Sequence, residues 1–165
     1  MNIEGEQIYD QEETVTSLNE LIEICRNAEY GFRTASEHVR NSQLATIFEE
    51  YASKRSGFSR ALQAEVERLG GTPVDSGTVT GALHRGWIDL KSAFSGGDVG
   101  AIVAACETGE QSAVAAYERV AEYTNLTGDA RTLVEKQFKS VQEVHNRMVR
   151  LQDEIKNGAE YPRTE

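Results

Sequence analysis

The sequence predicts an all-α protein: a four-helix bundle in which a long crossover, carrying a short extra helix, joins the second helix to the third. Three observations predict it. Four segments of helical length carry apolar stripes at alternating three- and four-residue steps, the spacing of a bundle seam. Helix-stopping and helix-starting residues stand between them, at Asn41, Gly70-Gly71, Gly96-Gly97-Asp98 and the turn Asn125 to Gly128, and Asn157-Gly158 ends the last. The stretch between Gly70 and Gly97 is too long for a hairpin loop.

Residues 1–13, MNIEGEQIYDQEE, are acidic and weakly apolar, the composition of a flexible arm with Ile3, Ile8 or Tyr9 as docking points. The bundle proper is expected over 14–156. Its first helix starts at Thr16 or Ser17, where Ser17 and Glu20 have capping-box spacing, and runs to about Arg40. The stripe is Leu18, Ile22, Cys25, Glu29, Phe32, Ser36 and Val39. Asn41 and Ser42 make the turn and cap of the second helix, which ends at Leu69 before the glycines. Its stripe is Leu44, Phe48, Tyr51, Arg55, Phe58, Leu62 and Leu69, with Glu65 or Val66 between the last two.

In the crossover, Leu83, Trp87, Leu90 and Phe94 share one face of a short amphipathic segment. Asp98 caps the third helix, which runs to about Thr124 with the stripe Val99, Val103, Cys106, Glu110, Ala113, Tyr117 and Val120. The fourth runs from near Asp129 to Lys156 with Val134, Phe138, Val141, His145, Met148, Gln152 and Ile155; residues 157–165 are tail.

Two antiparallel helix pairs joined by a crossover that spans a helix's length have the connectivity of ferritin-like bundles, not of bundles with three short loops. That connectivity fixes which residues share a level. Measured from the turn between the first two helices, Glu29, Arg55 and Glu110 each lie about twelve or thirteen residues along, roughly 18 to 20 Å at 1.5 Å per residue. His145 reaches the same level from the end of the fourth helix.

Each stripe is therefore broken by a polar residue at one level: Glu29, Arg55, Glu110 and His145. A buried carboxylate costs several kcal/mol unless it is paired and hydrogen-bonded, so this layer needs a cation. A di-iron or di-manganese bundle takes a Glu from each of two helices and a Glu-x-x-His from each of the others. Here the fourth helix offers Gln142 with His145, an amide in place of the carboxylate, and the second has no His, with Arg55 at that level.

Arginine keeps its charge and its planar fork can bridge two carboxylates, so the expected arrangement is Glu29 to Arg55 to Glu110, with Gln142 and His145 on the remaining oxygens. No cofactor and no catalytic residue is then needed. The alternative is a single iron or manganese on Glu29, Glu107, Glu110 and His145. It stays open, as do seams rotated to bring one of these residues to the surface.

Other chemistry-bearing residues have plainer readings. Cys25 and Cys106 lie on seams without metal or redox spacing and read as small buried hydrophobes. His84, in LHRGW, is expected to hydrogen-bond within a packed loop, and His38 to complement the end of its helix. Tyr51 and Tyr117 lie near the polar layer, where a buried hydroxyl needs a partner. No nucleophile elbow, P-loop, dinucleotide glycine pattern or zinc spacing occurs.

At 165 residues the chain is one domain, large enough to bury a core without staples. Its net charge of -10 and pI near 4.9 argue against nucleic acid and anionic membrane as partners. No apolar run approaches a membrane span or follows a basic start, so a cytoplasmic protein is expected. Acidic bundles pair through exposed helix faces, and a homo-oligomer, in its simplest form a dimer, is the expected partner state.

The strings LNELIEICRNAEYGFRTASEHV, LGGTP, LHRGW and ACETGEQSAVAAYERV, in this order, resemble a bacterial family of ferritin-like four-helix-bundle proteins of unknown function. The resemblance covers about residues 14–155. It implies the fold and a grouping with bacterial stress proteins, and it carries the superfamily's metal ligands only onto Glu29, Glu110 and His145. The expected function is that of a non-enzymatic structural or stress-associated bundle with a degenerate di-iron site; the alternative is a carboxylate metal protein with weak ferroxidase or sequestration activity.

Overall fold

The computed structural model describes residues 3–75, 92, 94–123, 125–126 and 128–158. Among the described residues four helices make the fold: α1 (Ile3–His38), α2 (Ser42–Arg68), α3 (Val99–Ala121) and α4 (Gly128–Lys156). Their boundaries follow local chemistry. The Asn41 side chain accepts a hydrogen bond from the Leu44 amide at the start of α2, and Asp98 accepts from Gly100 at the start of α3. Gly70, at φ 78°, closes α2 in the left-handed region, and Gly158, at φ 82°, does so beyond α4.

α1 packs on α2 and on α3, and α4 packs on α3 and on α2, which leaves α1 opposite α4 and α2 opposite α3 across the diagonals. In a bundle with three short loops, α2 and α3 would be neighbours. Their diagonal placement requires the crossover, and this is a ferritin-like four-helix bundle.

The described ends of the crossover show its course. Gly71 lies against Val15, Asn19 bonds both the Thr72 carbonyl and the Val74 amide, and Arg26 donates to the Val74 carbonyl at 2.8 Å. The chain leaves α2 along α1. It returns at the other end, where Phe94 is buried with its ring 6.1 Å from that of His38. The expected short helix and its LHRGW motif, with Leu83, His84, Trp87 and Leu90, lie outside the described residues, as does the tail beyond Gly158.

One boundary differs from expectation. α1 begins at Ile3, not near Thr16, so the acidic stretch read as an arm is helical from Ile3 onward. Tertiary contacts hold the helix upstream of its expected start as far as Asp10: Gln11 donates to the Leu69 carbonyl, Asn125 donates to Asp10 at 2.8 Å, and Thr14 is buried. The end of α2 and the turn after α3 supply partners that the local sequence does not. The side chains of Ile3, Ile8 and Tyr9 lie outside what is described.

Among the described residues the core falls into two apolar clusters. One, toward the turn between α1 and α2, contains Ala28, Phe32, Phe48, Ala52, Cys106, Val144 and Met148. The other, toward the turn between α3 and α4, contains Leu18, Cys25, Leu62, Ala113, Tyr117 and Val141. The division passes between Cys25 and Ala28, Ala52 and Leu62, Cys106 and Ala113, and Val141 and Val144. Arg55 and Glu110 occupy that level.

Candidate functional site

Arg55 of α2 and Glu110 of α3 are each 1 % exposed and form an ion pair through Nη2 and Oε2. They belong to helices on a diagonal, so the pair crosses the middle of the bundle; only two long side chains can span that gap. The guanidinium also lies over the Phe58 ring, its Cζ 5.7 Å from the centroid, which gives the charge a second favourable contact one turn along α2.

Burial pushes the Glu110 carboxyl up from its ordinary value, and Arg55, His145 and the Arg55 hydrogen bond pull it back only in part. Desolvation wins because one direct hydrogen bond replaces a full hydration shell. Glu110 Oε1 and Arg55 Nη1 are both buried and have no hydrogen-bond partner among the described residues. The pair is thus incompletely satisfied on each side.

The other residues expected in this layer take different places. His145 Nε2 lies 3.1 Å from Glu107 Oε1, with the two side chains 23 % and 22 % exposed, so they pair at the rim between α3 and α4. Glu29, 28 % exposed, pairs with Arg33 one turn along α1 at 3.1 Å. Gln142 is exposed. The expected chain of Glu29, Arg55, Glu110, Gln142 and His145 is corrected accordingly: it contracts to Arg55 and Glu110, with His145 near enough to act on the carboxylate through its charge.

Seam phase explains these departures. From Cys25, α1 can reach Phe32 through Glu29 or through Ala28, by steps of four and three or of three and four. The second path buries Ala28 and Ala35, and leaves Glu29 and Ser36 at the edge. In α4 the deepest line is Val134, Gln137, Val141, Val144, Met148 and Leu151, with Phe138, His145 and Gln152 beside it. The more apolar phase is the buried one on both helices.

The same phase buries a residue that the sequence reading missed. Gln137, 2 % exposed, accepts a hydrogen bond from the Tyr117 hydroxyl at 2.7 Å and donates to the Phe58 carbonyl at 3.2 Å. Cys25 Sγ lies 3.0 Å from the same hydroxyl. The available signal is the pair Val144 and Leu151, seven and fourteen residues beyond Gln137, reached through Val141 and Met148 by alternating four- and three-residue steps.

Burial raises the Tyr117 phenol well above its ordinary range, with the Cys25 thiol adding to the effect. Burial also pushes the Cys25 thiol up to about 11, against a smaller opposing pull from Arg55. Cys106 is raised as well, by burial and by the Glu110 charge. Neither thiol is poised as a nucleophile. Tyr51, only half buried, is raised by desolvation, and its ring packs edge-on against Phe32 at 5.4 Å.

A dinuclear iron or manganese centre needs carboxylates from all four helices and two histidines. The described side chains do not supply that set. Arg55 stands on α2, Glu29 turns to Arg33, Gln142 faces solvent, and the carboxylate of Glu110 is engaged by a cation. Among the described residues no group of three or more His, Cys, Asp and Glu side chains could hold a metal ion. Also among the described residues, no helix is long and apolar enough to cross a membrane.

The chain is similar in structure to a bacterioferritin of Desulfovibrio desulfuricans, a protein solved with its diiron site in different catalytic states. The likeness has a TM-score of 0.71 at 17 % identity and covers 92 % of this chain and 84 % of that one. At this identity it shows the ferritin-like fold. No curated protein matches the chain. A family model described as a domain of unknown function (DUF2383) matches residues 13–123, which covers α1 from Glu13, all of α2 and all of α3. The chain belongs to the DUF2383 family.

Proposed function

We propose that this protein is a non-enzymatic member of the ferritin-like group, in which a fixed arginine takes over the charge balance that metal ions supply in related bundles. The observation that carries this reading is the Arg55–Glu110 pair, 1 % exposed on both sides, at the level where the two apolar clusters divide. A permanent cation on the diagonal competes with any metal for the one deeply buried carboxylate of the layer. On this reading the chain is cytoplasmic and works through its surfaces as a structural or stress-associated homo-oligomer, with a dimer as the simplest form.

Metal analysis of protein purified without chelator tests the reading, with less than stoichiometric iron and manganese as the expected result. Stoichiometric metal that disappears in a Glu110→Ala variant would overturn it in favour of a single-metal protein using Glu29, Glu107, Glu110 and His145. Light scattering at several concentrations tests the oligomer separately, and a monomer throughout would remove that part.

A further inference from the structure

We infer that the Arg55–Glu110 pair is a three-body site that binds one internal water molecule, bridging Arg55 Nη1 and Glu110 Oε1. The inference rests on the pair described above and goes beyond it by naming the ligand of that layer. Arginine and carboxylate commonly meet as two parallel hydrogen bonds, which would use both nitrogens and both oxygens. Here contact runs through Nη2 and Oε2 alone. One donor and one acceptor are left over, both buried, on residues that are each 1 % exposed.

The leftover groups are complementary to a single small neutral molecule that both accepts and donates. An anion would be repelled by Glu110 and a cation by Arg55, whereas water can accept from Nη1 and donate to Oε1 at once. Buried waters characteristically serve groups of this kind, satisfying polar atoms that the fold itself leaves unpaired.

A crystal structure of the full chain at a resolution that shows ordered solvent tests this directly. One solvent peak within about 2.7 to 3.2 Å of both Nη1 and Oε1 is the expected result. An Arg55–Glu110 pair closed into two parallel hydrogen bonds, with no such peak, would overturn the inference and leave the proposed function standing. A metal ion on Glu110, or Arg55 turned away from it, would overturn both. In solution, a long-lived water showing magnetization transfer to the Arg55 side chain is expected. Absence of such transfer to Arg55 in the folded wild-type protein would count against the site.

Discussion

Arg55 and Glu110 meet across the diagonal of the bundle, from two helices whose backbones do not adjoin, at the level where the apolar core divides in two. The pairing links helix phase to energetics. Each charge is tolerable only because the other is there, and the bond they form is incompletely satisfied on both sides. A buried pair of this type is a poor source of net stability but a strong constraint on how the four helices align.

Arg55→Ala should destabilise the fold by roughly 3 to 5 kcal/mol, because it leaves a buried carboxylate uncompensated. The double replacement Arg55→Met/Glu110→Leu should recover most of that loss, since it removes both charges together. Urea denaturation of wild type, both single variants and the double variant gives the coupling. A double variant as unstable as the sum of the singles would show that the two residues do not act as a pair.

Glu110 also sets a pH dependence of known sign. Its carboxyl is raised in the folded state by burial, so the fold holds that proton more tightly than the unfolded chain does. The contribution of this titration to stability is present below the unfolded value and is lost as pH rises through the raised folded value. Each unit of upward displacement is worth about 1.4 kcal/mol. Relative to Glu110→Gln, which does not titrate, wild type should therefore lose stability from acid toward neutral pH. Parallel stability curves for the two proteins over that window would contradict the assignment.

Gly71 should not accept a side chain. A Cβ there would lie 2.6 and 2.8 Å from the two methyl carbons of Val15, where the chain leaves α2 and lies down along α1. Gly71→Ala is expected to cost on the order of 1 to 3 kcal/mol by overpacking, and Val15→Ala in the same chain should restore part of it. Thermal denaturation of the three proteins measures this, and an unchanged midpoint in Gly71→Ala would refute the close approach.

Tyr117→Phe should cost about 1 to 3 kcal/mol, because Gln137 Oε1 loses the hydroxyl that donates to it at 2.7 Å and stays buried. Both cysteines are free and buried, and their thiols are raised. An aromatic disulfide reagent should accordingly titrate neither thiol in the native protein and both after denaturation. Rapid reaction of the native protein would show that the core opens more readily than this packing allows.

Much of the fold can be read from residues in chain order. The four stripes, the Asn41 and Asp98 caps, the stops at Gly70 and Gly158, and the length of the crossover depend on local periodicity and backbone preference, which act within a turn or two of helix. Connectivity then follows from length alone, and with it the level at which Arg55 and Glu110 meet. What periodicity leaves open is phase. Paths through Ala28 or Glu29, and through Val144 or His145, satisfy the same repeat, and the choice falls to whichever face finds apolar partners on two neighbouring helices at once. That non-local choice moves Glu29, Gln142 and His145 out of the center and brings Gln137 in. In the same way, the end of α2 and the turn after α3 hold α1 at Gln11 and Asp10, upstream of its expected start, by hydrogen bonds to residues distant in sequence.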